Sequence, residues 1–161
     1  MSALPRAPRP DALALDLACG QGRHSRELAR LGYEVIAMDV SLYALEHVRR
    51  DSDGQSRSRV HPVQADVDAW PFAPQAFDLV VQVDFLDRSI FALLVTSLRP
   101  GGLLVVDTFL DAGHPNADGP SRPEFVLARN ELPRSLPGLD VVRYEEHDGE
   151  TARAIFVGRR R

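Results

Sequence analysis

The chain has 161 residues, 44% of them hydrophobic and 26% charged, which is typical of one globular domain. All 19 basic residues are arginine, which excludes enzymes that need a lysine amine, such as Schiff-base enzymes, and the lysine-containing P-loop. A net charge of −4 gives no electrostatic reason to expect nucleic-acid binding. The single cysteine cannot form an internal disulfide, and no apolar run reaches the ~20 residues of a membrane helix. We therefore expect a cytoplasmic protein without membrane contact.

Strands and helices alternate along most of the chain. Residues 1–11 are predicted to form a Pro-rich leader and residues 12–161 a single domain. Apolar runs bounded by turn residues predict strands, and apolar residues at helical spacing predict helices. The predicted elements are strand 12–17, helix 23–31 ended by Gly32, strand 34–39, helix 41–50 capped by Ser41, strand 59–65 with Pro62 indicating a sheet edge, strand 77–83, helix 89–98 and strand 103–107.

The C-terminal third of the chain lacks the regular alternation of strands and helices. Residues 111–123 form a Pro-rich loop longer than a connection requires, so this loop is a candidate functional segment. Strands near 139–146 and 151–158 are joined by Asp148-Gly149, a dipeptide typical of hairpins. The expected fold is α/β, a Rossmann-like three-layer sandwich with a seven-stranded, mostly parallel sheet and an antiparallel C-terminal hairpin.

Polar residues end four predicted strands: Asp16, Asp39, Asp66 and the segment 82–84. In an open parallel sheet, ligands bind beyond the carboxyl ends of the strands, where the strand order reverses. Gly20 and Gly22, in the loop after the first strand, allow a ligand to approach the backbone and a helix N-terminus. Asp39 is placed where a carboxylate can accept hydrogen bonds from ribose hydroxyls. The sequence therefore predicts a nucleoside-binding site.

Two nucleoside cofactors use this arrangement. In the dinucleotide fingerprint G-x-G-x-x-G a pyrophosphate rests on the helix N-terminus, but the segment 20–25 lacks the third glycine. Asp16 at the strand end would repel a diphosphate and suits an amino group. S-adenosylmethionine carries an ammonium and a sulfonium and no phosphate, so the acidic strand ends favour it. A nicotinamide-dependent oxidoreductase of the Rossmann type stays the alternative.

The segment LDLACGQGRHS at residues 15–25, with the later strand ends, resembles class I S-adenosylmethionine-dependent methyltransferases. The resemblance implies that Asp16 holds the methionine amino group and Asp39 the ribose hydroxyls. It also implies that Asp66 and Val67 contact the adenine edge. The complete set of cofactor-binding residues that it implies is Asp16, Ala18, Cys19, Gly20, Gly22, Arg23, Asp39, Val40, Asp66, Val67, Gln82 and Val83.

The segments 84–88 and 114–127 are similar to small bacterial methyltransferases of the tellurite-resistance and thiol-methyltransferase type. Transfer of an activated methyl group needs alignment of the acceptor, and it needs a base only if the acceptor holds its proton. The segment 82–85 lacks the motif associated with methylation of base amino groups, so we expect a small-molecule acceptor. The candidate catalytic residues are Asp84, Asp87 and His114.

The candidate residues also have structural interpretations. Asp66 can form an Asx turn, and Asp84 and Asp87 can be carboxylates at a helix start. His24 shares a helix face with Leu28, which favours a packed histidine. A non-catalytic domain that binds the cofactor is a further alternative, because the segment before the first strand is shorter than the helical segment of relatives.

Overall fold

The computed structural model describes residues 4–51, 54, 58–69, 71–111, 113, 118–120 and 122–161. Its helices and strands are β1 (Leu13–Leu17), α1 (Arg23–Arg30), β2 (Glu34–Asp39), α2 (Leu42–Asp51), β3 (Val60–Gln64), β4 (Phe77–Val83), α3 (Phe91–Ser97), β5 (Leu98–Phe109), α4 (Glu131–Ser135), β6 (Leu139–His147) and β7 (Arg153–Arg160). A 3-10 turn spans Pro123–Phe125. Among these residues, no helix is long and apolar enough to cross a membrane.

The strands form one seven-stranded sheet in the order β3-β2-β1-β4-β5-β7-β6. β1 pairs in parallel with both β2 and β4, so the strand order reverses beside β1. β7 is antiparallel to β5 and β6. The predicted fold class is confirmed, and β3, which contains Pro62, lies at the edge of the sheet as predicted. Ligands of such sheets bind beyond the carboxyl ends of the strands at the reversal, here β1 and β4.

Helices cover both faces of the sheet. On one face, Leu28 of α1 and Leu45 of α2 are fully buried in a core with Val81 of β4. On the other face, Leu94 of α3 is fully buried in a second core with Val80 of β4. Neighbouring residues of β4 thus point into opposite cores. Because both faces of this strand are buried, its sequence is an almost continuous apolar run.

The starts of α3 and β5 differ from the sequence prediction for identifiable reasons, and α4 was not predicted. α3 begins at Phe91 and not at Ser89, because Ser89 forms an Asx turn in which its N–H donates to Asp87 Oδ1 at 2.8 Å. β5 begins at Leu98, five residues earlier than predicted, because Leu98 already pairs with Phe77 before the Gly-rich turn. The predicted loop 111–123 lies partly outside the described residues.

The described part of the predicted leader, residues 4–11, packs against the rest of the chain through polar and apolar contacts. Leu4 is buried in the core beneath α1, and Arg9 forms a bidentate hydrogen bond with Asp78 at the start of β4. The Asp78 carboxylate also accepts from Arg99 Nη1 at 2.7 Å and from the Leu13 N–H at 2.9 Å. Because the Asp78 side chain is only 11% exposed, these partners are needed to offset its burial.

We predict that Asp78→Ala destabilises the protein by about 2–4 kcal/mol, since it leaves two arginines and one backbone N–H without their shared acceptor. Urea unfolding measures the change. Asp140→Ala is the matched control, because the Asp140–Arg161 ion pair is about two-thirds exposed on both sides and surface pairs contribute little. Equal unfolding midpoints for the two variants would contradict the prediction.

Candidate functional site

The loop after β1 has a backbone conformation that brings it close to β2. Ala18, Gly20 and Gly22 all have positive φ, at 53°, 53° and 76°. The Cys19 N–H donates to the carbonyl of Met38 at 2.9 Å, which ties the loop to the end of β2. Non-glycine residues rarely adopt this conformation, so Ala18 is a strained position of the kind that clusters at ligand sites.

At position 22 a glycine is required also because a side chain would not fit. A Cβ atom at this position would lie 2.8 Å from Cγ2 of Val48 on α2. At Gly20, by contrast, a Cβ atom would meet nothing within 4 Å. Gly22 therefore allows α1 and α2 to pack closely, whereas Gly20 leaves the loop surface open.

Asp39 connects the β1 loop with the start of α2. The Gly20 N–H donates to Asp39 Oδ2 at 2.8 Å, and the Ser41 N–H donates to Asp39 Oδ1 at 2.8 Å. The hydroxyl of Ser41 then accepts from the Ala44 N–H at 3.2 Å, so Ser41 caps α2 as predicted. Each carboxylate oxygen can accept two hydrogen bonds, so Asp39 is fixed by backbone groups and still has capacity for two hydroxyls.

Asp16 lies at the end of β1 and is 2% exposed. Its Oδ2 accepts a hydrogen bond from the hydroxyl of Ser25 on α1 at 2.5 Å. The pKa of Asp16 is raised to about 6, chiefly by burial and to a smaller extent by the charge of Asp39, while hydrogen bonds from Ser25 and the charge of Arg23 oppose the rise. Ionising this carboxylate is thus costly, and a cation bound nearby would offset that cost.

A small apolar pocket, here called the nucleoside pocket, opens beside Asp39. It has a volume of about 240 Å³ and is lined by Leu17, Ala18, Met38, Asp39, Val40, Ala65, Asp66, Val67 and Phe85. The structure thus brings together five of the predicted residues: Ala18, Asp39, Val40, Asp66 and Val67. Asp66 also forms the Asx turn considered above, since its Oδ1 accepts from the Asp68 N–H at 3.1 Å. Phe85 was not predicted.

Gln82 does not line the nucleoside pocket with its side chain. The side chain is fully buried, and its Nε2 donates to the carbonyl of Phe85 at 2.8 Å. Its Oε1 has no hydrogen-bond partner within the described part of the chain. Gln82 therefore supports the segment that carries Phe85, and its predicted contact with the cofactor stays a prediction.

A larger groove, here called the α1 groove, lies between α1 and the carboxyl ends of β4 and β5. Its volume is about 700 Å³, and its lining includes Arg23, His24, Val83, Asp84, Asp107 and Arg153. Three of the predicted residues, Arg23, Val83 and Asp84, meet here. Since α1 begins directly after the β1 loop, the groove lies beside the predicted cofactor-binding segment.

Arg153 of β7 links the ends of two other strands at this groove. Its Nη2 donates to Asp84 Oδ1 at 2.6 Å, and its Nε donates to Asp107 Oδ1 at 2.7 Å. Asp84 has a positive φ of 55°, and its N–H donates to the carbonyl of Asp107 at 3.0 Å. The candidate catalytic carboxylate is therefore held by an ion pair and by strained backbone.

Asp87, the second candidate catalytic residue, does not line the groove. Asp87 accepts both the N–H and the hydroxyl of Ser89, at 2.8 and 2.7 Å, so it begins the turn before α3. Its charge raises the pKa of the exposed Asp68, which places Asp87 beside the segment after β3. His114 lies outside the described residues.

Two further side chains near the β1 loop, those of His24 and Cys19, have surroundings that limit their reactivity. His24 Nε2 lies 3.0 Å from Arg23 Nη2, and because a guanidinium only donates, the histidine nitrogen accepts this hydrogen bond. Burial lowers the pKa of His24, and the charge of Arg23 lowers it further. Burial also raises the pKa of the Cys19 thiol, so Cys19 is not a thiolate nucleophile.

The methyltransferase domain model matches residues 14–102, which is more than half of the chain. This chain belongs to the methyltransferase domain family. The resemblance to class I S-adenosylmethionine-dependent methyltransferases is confirmed, and S-adenosylmethionine is the cofactor that membership implies.

Curated methyltransferases are similar to this chain at the sequence level. The malonyl-acyl-carrier-protein O-methyltransferase of Enterobacter lignolyticus is 34% identical over 140 residues, which cover 80% of this chain and 54% of that protein. The demethylmenaquinone methyltransferase of Thermobifida fusca is 38% identical over 103 residues, which cover 60% and 43%. The chain thus spans about half the length of the curated relatives that it matches.

Solved structures show the same fold. TehB from Haemophilus influenzae has a TM-score of 0.77 at 22% identity, over 94% of this chain and 58% of that one. An S-adenosylmethionine-dependent methyltransferase from Mesorhizobium loti has a TM-score of 0.77 at 18% identity, over 99% and 94%. At these identities the likeness supports the architecture of the sheet and helices.

We predict that Asp16→Asn removes a pH-dependent cost of folding. The pKa of Asp16 is about 6 in the folded protein and near 4 when unfolded, so the native stability of the parent falls as the pH rises through this window. The stability advantage of the variant should therefore grow by up to about 3 kcal/mol between pH 4 and pH 7, measured by urea unfolding at both values. A difference that does not change with pH would refute the assignment.

We also predict that Gly22→Ala destabilises the protein more than Gly20→Ala does. Both substitutions place a side chain at positive φ, at a cost of about 1 kcal/mol, but only the first also contacts Val48 at 2.8 Å. Thermal unfolding of the two variants should separate the contact from the backbone effect. Equal melting temperatures would contradict the prediction that the contact with Val48 adds to the cost.

Proposed function

We propose that this chain transfers a methyl group from S-adenosylmethionine to a small-molecule acceptor. This proposal rests on the position of Asp39, which borders an apolar pocket and can still accept hydrogen bonds from two hydroxyls. A ribose with an attached base presents two hydroxyls next to an apolar ring, so the nucleoside pocket suits this part of the cofactor. Ala18, Val40, Asp66 and Val67 would contact the base.

Asp16 fits the amino-acid part of the cofactor. The carboxylate is buried and is hydrogen bonded by the hydroxyl and the backbone N–H of Ser25, while the nearby Arg23 favours its charge without a direct ion pair among the described residues. An ammonium group bound nearby would supply the missing positive charge and favour the ionised carboxylate. The positive-φ loop containing Gly20 and Gly22 leaves backbone accessible to the same ligand, and Cys19 and Arg23 lie on that loop and at the start of α1.

When bound, the cofactor supplies a methyl group that its sulfonium has already activated. The protein then has to align the acceptor and exclude water, because alignment alone can supply a large part of the rate. The α1 groove provides a place for the acceptor beside the loop, with Val83 and Asp84 on its wall. This groove is why we favour an enzyme over a non-catalytic binding domain.

A nicotinamide-dependent oxidoreductase is not favoured. The matching family model and the similar curated proteins are methyltransferases. Because the chain matches only about half of each curated relative, their acceptors are not assigned to it. An acceptor-facing role is proposed for Asp84, and none is assigned to Asp87, which lies at the turn before α3.

We predict that Asp39→Ala weakens binding of S-adenosylhomocysteine, the product form of the cofactor, by about 1.5–3 kcal/mol. This is the typical value of hydrogen bonds to a charged group. Isothermal calorimetry measures the affinity, with NADH titrated into the same sample. Tight binding of NADH without binding of S-adenosylhomocysteine would overturn the proposed function.

Glu46→Ala serves as the control for this experiment. Glu46 is an exposed carboxylate on α2, so its removal changes the net charge equally without touching the pocket. Its affinity for S-adenosylhomocysteine should match that of the parent. An equal loss in both variants would reveal a general charge effect and remove Asp39 from the site.

A further inference from the structure

Arginine side chains engage three of the four proton-accepting side chains that line the α1 groove. His24 Nε2 accepts from Arg23, and Asp84 and Asp107 both accept from Arg153. Among the described residues that line the groove, Glu27 is the remaining acid, and it lies exposed on the second turn of α1. Proton transfer to Asp84 or Asp107 would cancel a negative charge that is paired with Arg153, and the neutral His24 ring has no second nitrogen lone pair to offer.

The same groove is rich in arginine. Arg26 and Arg30 line it in addition to Arg23 and Arg153. Arg26 Nη1 donates to the carbonyl of Gln21 at 2.8 Å, and a guanidinium with five N–H groups can still donate to a ligand. The lining holds four arginines and three carboxylates, so its net charge is positive, and guanidinium groups pair with carboxylates in a planar, two-point geometry.

We propose that the methyl acceptor in the α1 groove is a carboxylate. Carboxyl groups titrate near pH ~4 and are ionised at neutral pH, whereas thiols (~8.5) and phenols (~10) keep their protons. A carboxylate therefore needs no base from the protein, and the arginines of the groove complement its charge. This inference rests on the proposed methyl transfer and adds the class of acceptor.

The transfer balances without a proton acceptor. One carboxylate oxygen uses a lone pair to form the new O–CH₃ bond, while the C–S bond of the sulfonium donor breaks and its electron pair stays on sulfur. The donor becomes a neutral thioether and the acceptor a neutral methyl ester, and no proton moves. The ester no longer carries the charge that the arginines bind, which favours its release.

A matched pair of probes tests the class of acceptor. Phenylacetate and 2-phenylethanol share a ring and a chain length and differ in charge, and both are titrated by calorimetry into the protein saturated with S-adenosylhomocysteine. We expect phenylacetate to bind at least tenfold more tightly. Equal affinities, tighter binding of the alcohol, or no saturable binding of phenylacetate would overturn the proposal.

Two arginine variants test the location. Arg26→Gln should weaken phenylacetate binding about three- to tenfold and leave that of 2-phenylethanol unchanged. Arg49→Gln is the control, because Arg49 is an exposed helical arginine at the end of α2 and does not line the groove. Equal affinity of both variants for phenylacetate would contradict the assignment to this groove.

A chemical readout distinguishes the acceptor class from methyl transfer itself. The protein is incubated with methyl-labelled S-adenosylmethionine and a mixture of aryl carboxylates, phenols and thiols, and the products are treated with mild alkali. Methyl esters release labelled methanol, whereas ethers and thioethers do not. Alkali-stable label would overturn the carboxylate class and keep methyl transfer, and failure to bind S-adenosylhomocysteine would overturn the proposed function.

Discussion

The carboxylate of Asp39 determines the shape of the candidate site because it bonds to the backbone of two separate loops. Gly20 belongs to the loop after β1 and Ser41 to the start of α2, and Asp39 holds both. Asp16 has a different position, since it is buried beneath α1 with a raised pKa. Asp39 therefore organises the loops through backbone hydrogen bonds, and Asp16 is buried where a cationic ligand would stabilise its ionised form.

The fold could be predicted from the sequence where one physical effect decided the outcome. β4 (Phe77–Val83) matches its predicted range because its apolar residues fill the cores on both faces of the sheet. The end of α1 was predicted correctly because Gly32 has the positive φ of a helix stop. The start of α3 was wrong by two residues, since the Asx turn at Asp87 competes with the helix for Ser89.

The candidate site could be predicted less completely. Val40 and Val67 were predicted from the family resemblance, and they line one pocket because the sheet brings the carboxyl ends of its strands together. Arg153 was missed because it lies 69 residues from Asp84 and 46 from Asp107, and no local pattern indicates which of 19 arginines reaches them. Phe85 was missed because its position depends on the buried amide of Gln82.

The absence of lysine affects how these ion pairs respond to alkali. A lysine ammonium loses its proton near pH ~10, whereas a guanidinium keeps its charge throughout the range in which proteins are folded. Arg9 and Arg99 at Asp78, and Arg153 at Asp84, therefore stay charged when the surrounding solution becomes basic. The connection between the leader and β4, and that between the C-terminal hairpin and the groove, are consequently insensitive to alkaline titration of their cations.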